Sequence, residues 1–172
     1  GTVSYKIRNS LYLNLTQRCT ADCVFCTRLT KPVVQGYNLA LDREPTANEV
    51  WESIDDVKKY DEVVFCGFGE PTLRLDVIKE VAKKVKDNGG RVRLNTNGHG
   101  NVINKRNILP ELSGLIDEVS VSLNADSSEA YDQICQPLPK FRNGIYEKIK
   151  EFIEEAKKYI PDVQASIVTH QN

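Results

Sequence analysis

The chain has 172 residues, of which 40% are hydrophobic and 27% are charged, a composition typical of one globular domain. Its 23 basic and 24 acidic side chains give a net charge of -1, so nucleic acid is not indicated as a partner. No apolar run reaches the roughly 18 to 20 residues of a membrane span, and the N-terminal residues lack a signal-peptide core. We therefore predict a cytoplasmic protein without a membrane segment.

The first half of the chain predicts two strands, each followed by a helix. Alternating apolar residues over 11–15 predict a strand that leads into a cysteine-rich loop, whereas residues 27–45 show no clear periodicity. A capping box that starts at Thr46 predicts the next helix. The β-rich run 62–66 then predicts the second strand, and apolar residues at helical spacing over 78–85 predict the second helix.

The second half continues this alternation. The predicted strands cover residues 91–95, 116–123 and 163–169. The predicted helices cover residues 105–113, 126–134 and 143–159. Strands that alternate with helices pair in parallel through right-handed crossovers, with the helices outside the sheet.

These elements predict an α/β fold, an α/β barrel or a partial barrel, in a single domain over residues 1–172. The chain stops on its fifth predicted strand, so we expect at least one more strand beyond Asn172 and an incomplete C-terminal end. In such folds the functional groups gather at the C-terminal ends of the parallel strands. The unusual motifs of this sequence all follow a predicted strand directly, which places them at that edge.

Three of the five cysteines lie in the run Cys19-Thr-Ala-Asp-Cys23-Val-Phe-Cys26, just after the first predicted strand. This crowding favours metal binding in a reducing compartment over a disulfide framework. Three thiolates reach three corners of an iron-sulfur cluster and leave one iron for an amino-acid chelate such as S-adenosylmethionine. Two alternatives stay open, structural zinc with Cys66 or Cys135 as the fourth ligand and a ferredoxin-like electron carrier.

The spacing C-x3-C-x2-C, with the aromatic Phe25 before the last cysteine, resembles the signature of the radical S-adenosylmethionine superfamily. The resemblance implies a partial (βα)6-type barrel and a 4Fe-4S cluster on Cys19, Cys23 and Cys26. It also implies reductive cleavage of S-adenosylmethionine to methionine and a 5′-deoxyadenosyl radical, which abstracts a hydrogen from a substrate. A flavodoxin or ferredoxin would then be the reductant.

Motifs at the later strand ends extend the resemblance. The segment 67–71 resembles the glycine-glutamate-proline motif that holds the methionine amino group, 95–98 a segment that contacts the methionine moiety, and 122–124 the ribose- and carboxylate-binding positions. Many relatives have a carboxylate or a lysine where this chain has amides and hydroxyls. The implied cofactor-binding residues are Phe25, Gly67, Gly69, Glu70, Pro71, Asn95, Thr96, Asn97, Ser122, Asn124 and, for adenine, Val168.

Two arginines beside these motifs, Arg74 and Arg93, are candidates for binding an anionic substrate, although charged residues beside turns are usually solvated. The lone histidines His99 and His170 are interpreted as surface or structural residues. Both remaining cysteines, Cys66 and Cys135, are interpreted as thiols without chemistry.

Longer strings such as Val-Phe-Cys-Gly-Phe-Gly-Glu-Pro-Thr-Leu-Arg and Arg-Leu-Asn-Thr-Asn-Gly resemble the TatD-associated radical S-adenosylmethionine proteins, over about residues 5–169. This resemblance implies a functional link to a TatD-family nuclease and leaves the substrate open. Enzymes that make 7-carboxy-7-deazaguanine and glycyl-radical activases are alternatives with the same first half-reaction. A non-catalytic zinc or iron-sulfur binding module is the alternative of a different class.

Overall fold

In a computed structural model, which describes residues 1–167, the chain forms a six-stranded sheet and a separate two-stranded hairpin. The strands are β1 (Ser4–Ile7), β2 (Ser10–Leu13), β3 (Val33–Val34), β4 (Tyr37–Asn38), β5 (Glu62–Phe65), β6 (Val92–Thr96), β7 (Glu118–Ser122) and β8 (Asp162–Ser166). The helices are α1 (Ala47–Glu52), α2 (Leu75–Asp87), α3 (Gly100–Asn104), α4 (Leu109–Leu112), α5 (Ser128–Cys135), α6 (Pro139–Arg142) and α7 (Ile145–Tyr159), with 3₁₀ turns at Val57–Lys59 and Pro71–Arg74.

The large sheet has the strand order β1-β2-β5-β6-β7-β8. The strands β2, β5, β6, β7 and β8 pair in parallel, and β1 joins one edge antiparallel to β2. The carboxyl ends of five strands therefore meet at one edge. This arrangement confirms the predicted α/β class with a parallel sheet and helices, and it is consistent with a partial barrel.

One face of the sheet is apolar and carries the helices. Leu13, Phe65 and Leu94 are in register across three neighbouring strands and are fully buried. They belong to one hydrophobic core with the inward faces of two helices, which include Ile78 of α2 and Phe152 of α7. Burial of one such side chain contributes about 1.5 to 3 kcal/mol, so this face holds the helices to the sheet.

The opposite face of the sheet is polar, because successive residues of a strand point to opposite sides. Tyr12, Val64, Arg93 and Glu118 lie on this face at successive register positions, so the face is polar except for the buried Val64. Asn95 and Ser120 lie one step nearer the carboxyl edge. Arg93 contacts the Tyr12 hydroxyl at 3.1 Å and Glu62 at 2.9 Å. Because side chains alternate between the two faces of each strand, the face of the sheet away from the helices is a polar concave surface.

The predicted elements differ from the structure in several places, and α3 and α6 were not predicted. The sequence prediction missed β1, and residues 27–45 contain the hairpin β3–β4. The first predicted helix, whose apolar face was expected to run from Val50 through Ile54 to Val57, ends at Glu52. The helix predicted over 105–113 is confirmed only for its second half, where α4 covers Leu109–Leu112, because Lys105, with a left-handed φ of 55°, ends α3 before that range. Within the described residues no helix is long and apolar enough to cross a membrane.

Candidate functional site

A cavity of about 370 Å³ lies at the carboxyl edge of the parallel strands. It brings together the three cysteines with most of the residues that the sequence predicted for cofactor binding. These lining residues are Cys19, Cys23, Phe25, Cys26, Gly67, Gly69, Glu70, Asn95, Thr96, Asn97, Ser122 and Asn124. Pro71 is buried at the start of a 3₁₀ turn and does not line the cavity, and Val168 lies outside the described residues.

The cysteine loop is held against the end of α5 by backbone hydrogen bonds. The amide of Asp22 donates to the carbonyl of Cys135 at 3.0 Å, and the amide of Val24 donates to the carbonyl of Ile134 at 2.9 Å. On the other side of the loop, the amide of Leu138 donates to the carbonyl of Thr20 at 2.9 Å. The loop position is therefore set by a helix that lies more than a hundred residues later in the chain.

All three loop cysteines are free thiols, and each sulfur has a polar neighbour. Asn97 Nδ2 lies 3.7 Å from Cys19 Sγ, and Arg28 Nη1 lies 3.8 Å from Cys26 Sγ. The Cys23 thiol hydrogen-bonds to Cys135, which raises the pKa of Cys23. Iron-sulfur clusters take cysteine thiolates and accept hydrogen bonds at sulfur, so this donor set fits such a cluster.

The zinc alternative needs four thiolates around one ion. In the described part of the chain, no group of three or more histidine, cysteine or acidic side chains is arranged to hold a single metal ion. Cys135 contacts Cys23, and Cys66 lines the same cavity from the end of β5.

Gly69 allows the loop after β5 to meet the cysteine loop. A Cβ atom on Gly69 would lie 2.2 Å from the carbonyl oxygen of Thr16 and 2.6 Å from that of Arg18. The neighbouring amide of Glu70 donates to the same Arg18 carbonyl at 2.8 Å. The structure thus gives this glycine a contact between two protein loops, in addition to its predicted place beside a ligand.

The Glu70 carboxylate is buried and ties two strand ends together. Its Oε2 accepts hydrogen bonds from the amide and hydroxyl of Thr72 and from the Thr96 hydroxyl, at 2.7 Å for the last. Its Oε1 accepts from the Asn97 amide at 2.8 Å. Burial raises the pKa of Glu70, and these donated hydrogen bonds partly offset the rise.

Two asparagine side chains of the site have their amide orientation set by their neighbours. Asn95 Oδ1 accepts from Arg93 at 3.3 Å, so its amino group is directed elsewhere and hydrogen-bonds the Cys66 thiol. Asn97 Oδ1 accepts from the His99 amide at 3.0 Å, and its amino group reaches Thr20 as well as Cys19. At the end of β6, the side-chain groups that face the cavity are therefore mainly amide N–H donors.

The structure does not bring the two predicted substrate residues, Arg74 and Arg93, into the lining of the cavity. Arg74 donates to the Leu15 carbonyl at 3.0 Å and pairs with Glu44, so it braces the loops beside β2. Arg93 lies one register step below Asn95, between acidic side chains of neighbouring strands. Sequence proximity to a motif did not reveal that both guanidinium groups have protein partners.

Several residues that line the cavity were not among those predicted from the sequence. Ser120 and Ser166 line it from β7 and β8, and Arg28 and Cys66 line it beside the cysteine loop. For Ser120 a signal was present, because it lies two residues before Ser122 and therefore on the same face of a strand. Nothing in the local sequence pattern marked Arg28.

His99 has a buried structural position, one of the two positions, surface or structural, that the sequence predicted. It is fully buried, with Nδ1 2.6 Å from the Thr20 hydroxyl and Nε2 2.7 Å from the Tyr131 hydroxyl. Burial lowers the pKa of His99 to about 4. The ring thus stays neutral and supports the cysteine loop through Thr20.

This burial predicts a pH dependence of stability. An unfolded histidine takes up a proton near pH 6.5, whereas folded His99 does so only near 4. The free energy of unfolding should therefore fall as pH drops between these values, by up to about 1.4 kcal/mol per pH unit from this group. Urea unfolding at about pH 7 and about pH 5 tests this. The His99→Gln variant should lose less stability over the interval, and an equal loss would contradict the assignment.

Comparison with known proteins identifies the class. The model of the Radical SAM superfamily matches residues 13–172, and the chain belongs to this superfamily. The dual-specificity RNA methyltransferase RlmN of Wigglesworthia glossinidia brevipalpis is 29% identical, with 92% of this chain and 41% of that protein covered. A putative glycyl-radical enzyme activating enzyme of Methanocaldococcus jannaschii is 33% identical over 60% of this chain and 40% of that protein.

Among solved structures, TYW1 with a lysine-pyruvate adduct bound has a TM-score of 0.60 at 16% identity, over 91% of this chain and 55% of that chain. At this level of identity the likeness shows the fold, and it agrees with the predicted partial barrel. The chain spans less than half the length of the curated relatives it matches.

Proposed function

We propose that Cys19, Cys23 and Cys26 hold a 4Fe-4S cluster and that the adjacent cavity binds S-adenosylmethionine. The observation that carries the proposal is the convergence of three free thiols with residues from successive strand ends on one cavity. When bound, the two groups supply a reductive cleavage that yields methionine and a 5′-deoxyadenosyl radical, which takes a hydrogen atom from a substrate.

The residues of the chain would hold and orient these groups. Glu70 is the carboxylate that lines the cavity, and its Oε1 accepts one hydrogen bond among the described residues, which leaves capacity for a ligand ammonium group. Asn95, Ser122 and Asn124 offer amides and a hydroxyl for the ribose and carboxylate groups. The sheet, with the apolar core behind it, closes the cavity floor, which helps to exclude water near the reacting atoms.

Anaerobic reconstitution with iron and sulfide, followed by reduction with dithionite, tests the proposal. The wild-type protein should bind about four irons per chain and release 5′-deoxyadenosine from S-adenosylmethionine. The Cys23→Ala variant should lose the cluster and fall to the background without enzyme. Iron-loaded wild-type protein that never cleaves S-adenosylmethionine would contradict the catalytic part of the proposal.

A non-catalytic zinc module is the second candidate: Cys135 contacts Cys23 and would supply a fourth thiolate, but the four side chains would have to rearrange around the ion. Metal analysis of the purified protein separates the two. Stoichiometric zinc without acid-labile sulfide, lowered in Cys135→Ser, would support the module. A cluster held by the loop triad should persist in that variant.

The finer assignments extend the same proposal. The sequence strings favour a TatD-associated member with a link to a TatD-family nuclease, and the cluster calls for a flavodoxin or ferredoxin as reductant. Three unpaired thiols favour a reducing compartment, the cytoplasm. A glycyl-radical activase is supported by one relative's name, and a 7-carboxy-7-deazaguanine synthase is a further alternative. Since the relatives' names describe different reactions, the proposal stops at the cleavage step and names no substrate.

A further inference from the structure

Arg28 is the cationic side chain that lines the cavity within residues 1–167, and Glu70 is the carboxylate. The Arg28 side chain is only 11% exposed, although it lies on a surface loop two residues after Cys26. A guanidinium group that is buried to this extent and faces a cysteine cluster needs an explanation from the site itself.

The contacts of Arg28 place its charge beside one sulfur. Its Nη1 lies 3.8 Å from Cys26 Sγ and donates to the Ala21 carbonyl at 3.3 Å. Its acidic neighbour Asp22 lies 3.5 Å away but is 63% exposed, so water screens that pairing. The buried Nε has no hydrogen-bond partner among the described residues. The guanidinium charge is therefore largely uncompensated on the side of the cysteines.

The other two sulfurs have neutral side chains as their hydrogen-bonding neighbours, although the charges of Glu70 and Arg28 also act on Cys19. Cys19 lies near the Asn97 amide, and Cys23 contacts the thiol of Cys135. Among the described residues, Arg28 is thus the charged side chain that donates a hydrogen bond to one of the three cysteine sulfurs. Because only Cys26 accepts from a charged side chain among the described residues, we expect Arg28 to act on the cysteines through its charge and not only to support the loop.

We propose that Arg28 raises the reduction potential of the cluster, an inference that rests on the proposed function. Uptake of an electron adds negative charge to a site bounded by three thiolates. A nearby cation in a partly buried setting stabilises the reduced form more than the oxidised form, and hydrogen bonds to sulfur act in the same direction. Arg28 accordingly makes the cluster easier to reduce through its charge.

A redox titration followed by electron paramagnetic resonance tests the inference on anaerobically reconstituted protein. Arg28→Gln should have a lower reduction potential than wild type. At the potential where the wild-type cluster is half reduced, the ratio of reduced to oxidised cluster in the variant should be at least about tenfold lower, which corresponds to a fall in potential of about 59 mV for one electron. Arg18→Gln is the matched control. Arg18 directly precedes Cys19, but its side chain is 59% exposed and pairs with Glu44, so its loss should leave the potential unchanged.

The outcomes separate the two proposals. Wild-type protein without iron and sulfide would refute the proposed function. A wild-type cluster whose potential is unchanged in Arg28→Gln, or shifted as far in Arg18→Gln, would refute the role of Arg28 alone. If Arg28→Gln takes up no iron, the reduction potential of Arg28→Lys tests the inference instead. This variant keeps the charge and should stay within tenfold of wild type, and a larger fall in the reduced fraction would overturn the inference.

Discussion

Replacement of Gly69 by alanine should displace the cysteine loop and abolish cluster binding. The new methyl group would lie 2.2 Å from the carbonyl oxygen of Thr16 and 2.6 Å from that of Arg18. Both atoms are backbone, so no side-chain rotation relieves the overlap. Overpacking of this kind costs about 1 to 3 kcal/mol. The loop itself must move, and Cys19 moves with it because it directly follows Arg18.

Iron and sulfide content after reconstitution, together with urea unfolding, measures this effect. The control is Gly89→Ala at the end of α2. Gly89 has a φ of 81° and no neighbour within 4 Å of an added Cβ, so its replacement costs about 1 to 2 kcal/mol of backbone strain far from the cysteines. The control should lose stability and keep its iron. Gly69→Ala protein with full iron content would show that the loop tolerates the methyl group.

Glu70→Gln should weaken both the fold and the binding of S-adenosylmethionine. The amide has the shape of the carboxylate, but it presents an amino group to at least one of the donors from Thr72, Thr96 and Asn97. A buried donor left unpaired costs about 1 to 3 kcal/mol. The variant also lacks the negative charge proposed to pair with the ligand ammonium group, so affinity should fall at least about tenfold, or about 1.4 kcal/mol.

Urea unfolding of the cluster-free protein and calorimetric titration of the reconstituted protein separate these two effects. Glu147→Gln on α7, whose side chain is 66% exposed, is the control with the same change of charge and should match wild type in both measurements. If Glu70→Gln loses stability but binds S-adenosylmethionine as tightly as wild type, the carboxylate only braces the strand ends. Unchanged stability would contradict the bracing role instead.

The positions of the residues proposed to bind the cofactors were predictable because they depend on strand ends. Apolar periodicity identified the five parallel strands, and parallel strands bring their carboxyl ends to one edge of a sheet. Residues as distant as Cys19 and Asn95 were therefore expected together, and both line the cavity. The edge strand β1 was missed, since its four residues carry no distinct pattern.

The partners of charged groups were not predictable in the same way. Arg93 and Arg28 both lie beside motifs, yet Arg93 is neutralised by acids on adjacent strands, whereas Arg28 faces Cys26. The difference depends on strand register and on loop placement, which long-range contacts set.

The sequence by itself determined the fold class, the cysteine triad and the edge of the sheet where the site lies, because these follow from local periodicity and residue spacing. Only the tertiary structure decided that Gly69 lets two loops meet, that Glu70 joins two strand ends and that Arg28 lies beside a cysteine sulfur. Each of these depends on atoms that are far apart in the chain and become neighbours when the sheet and α5 assemble.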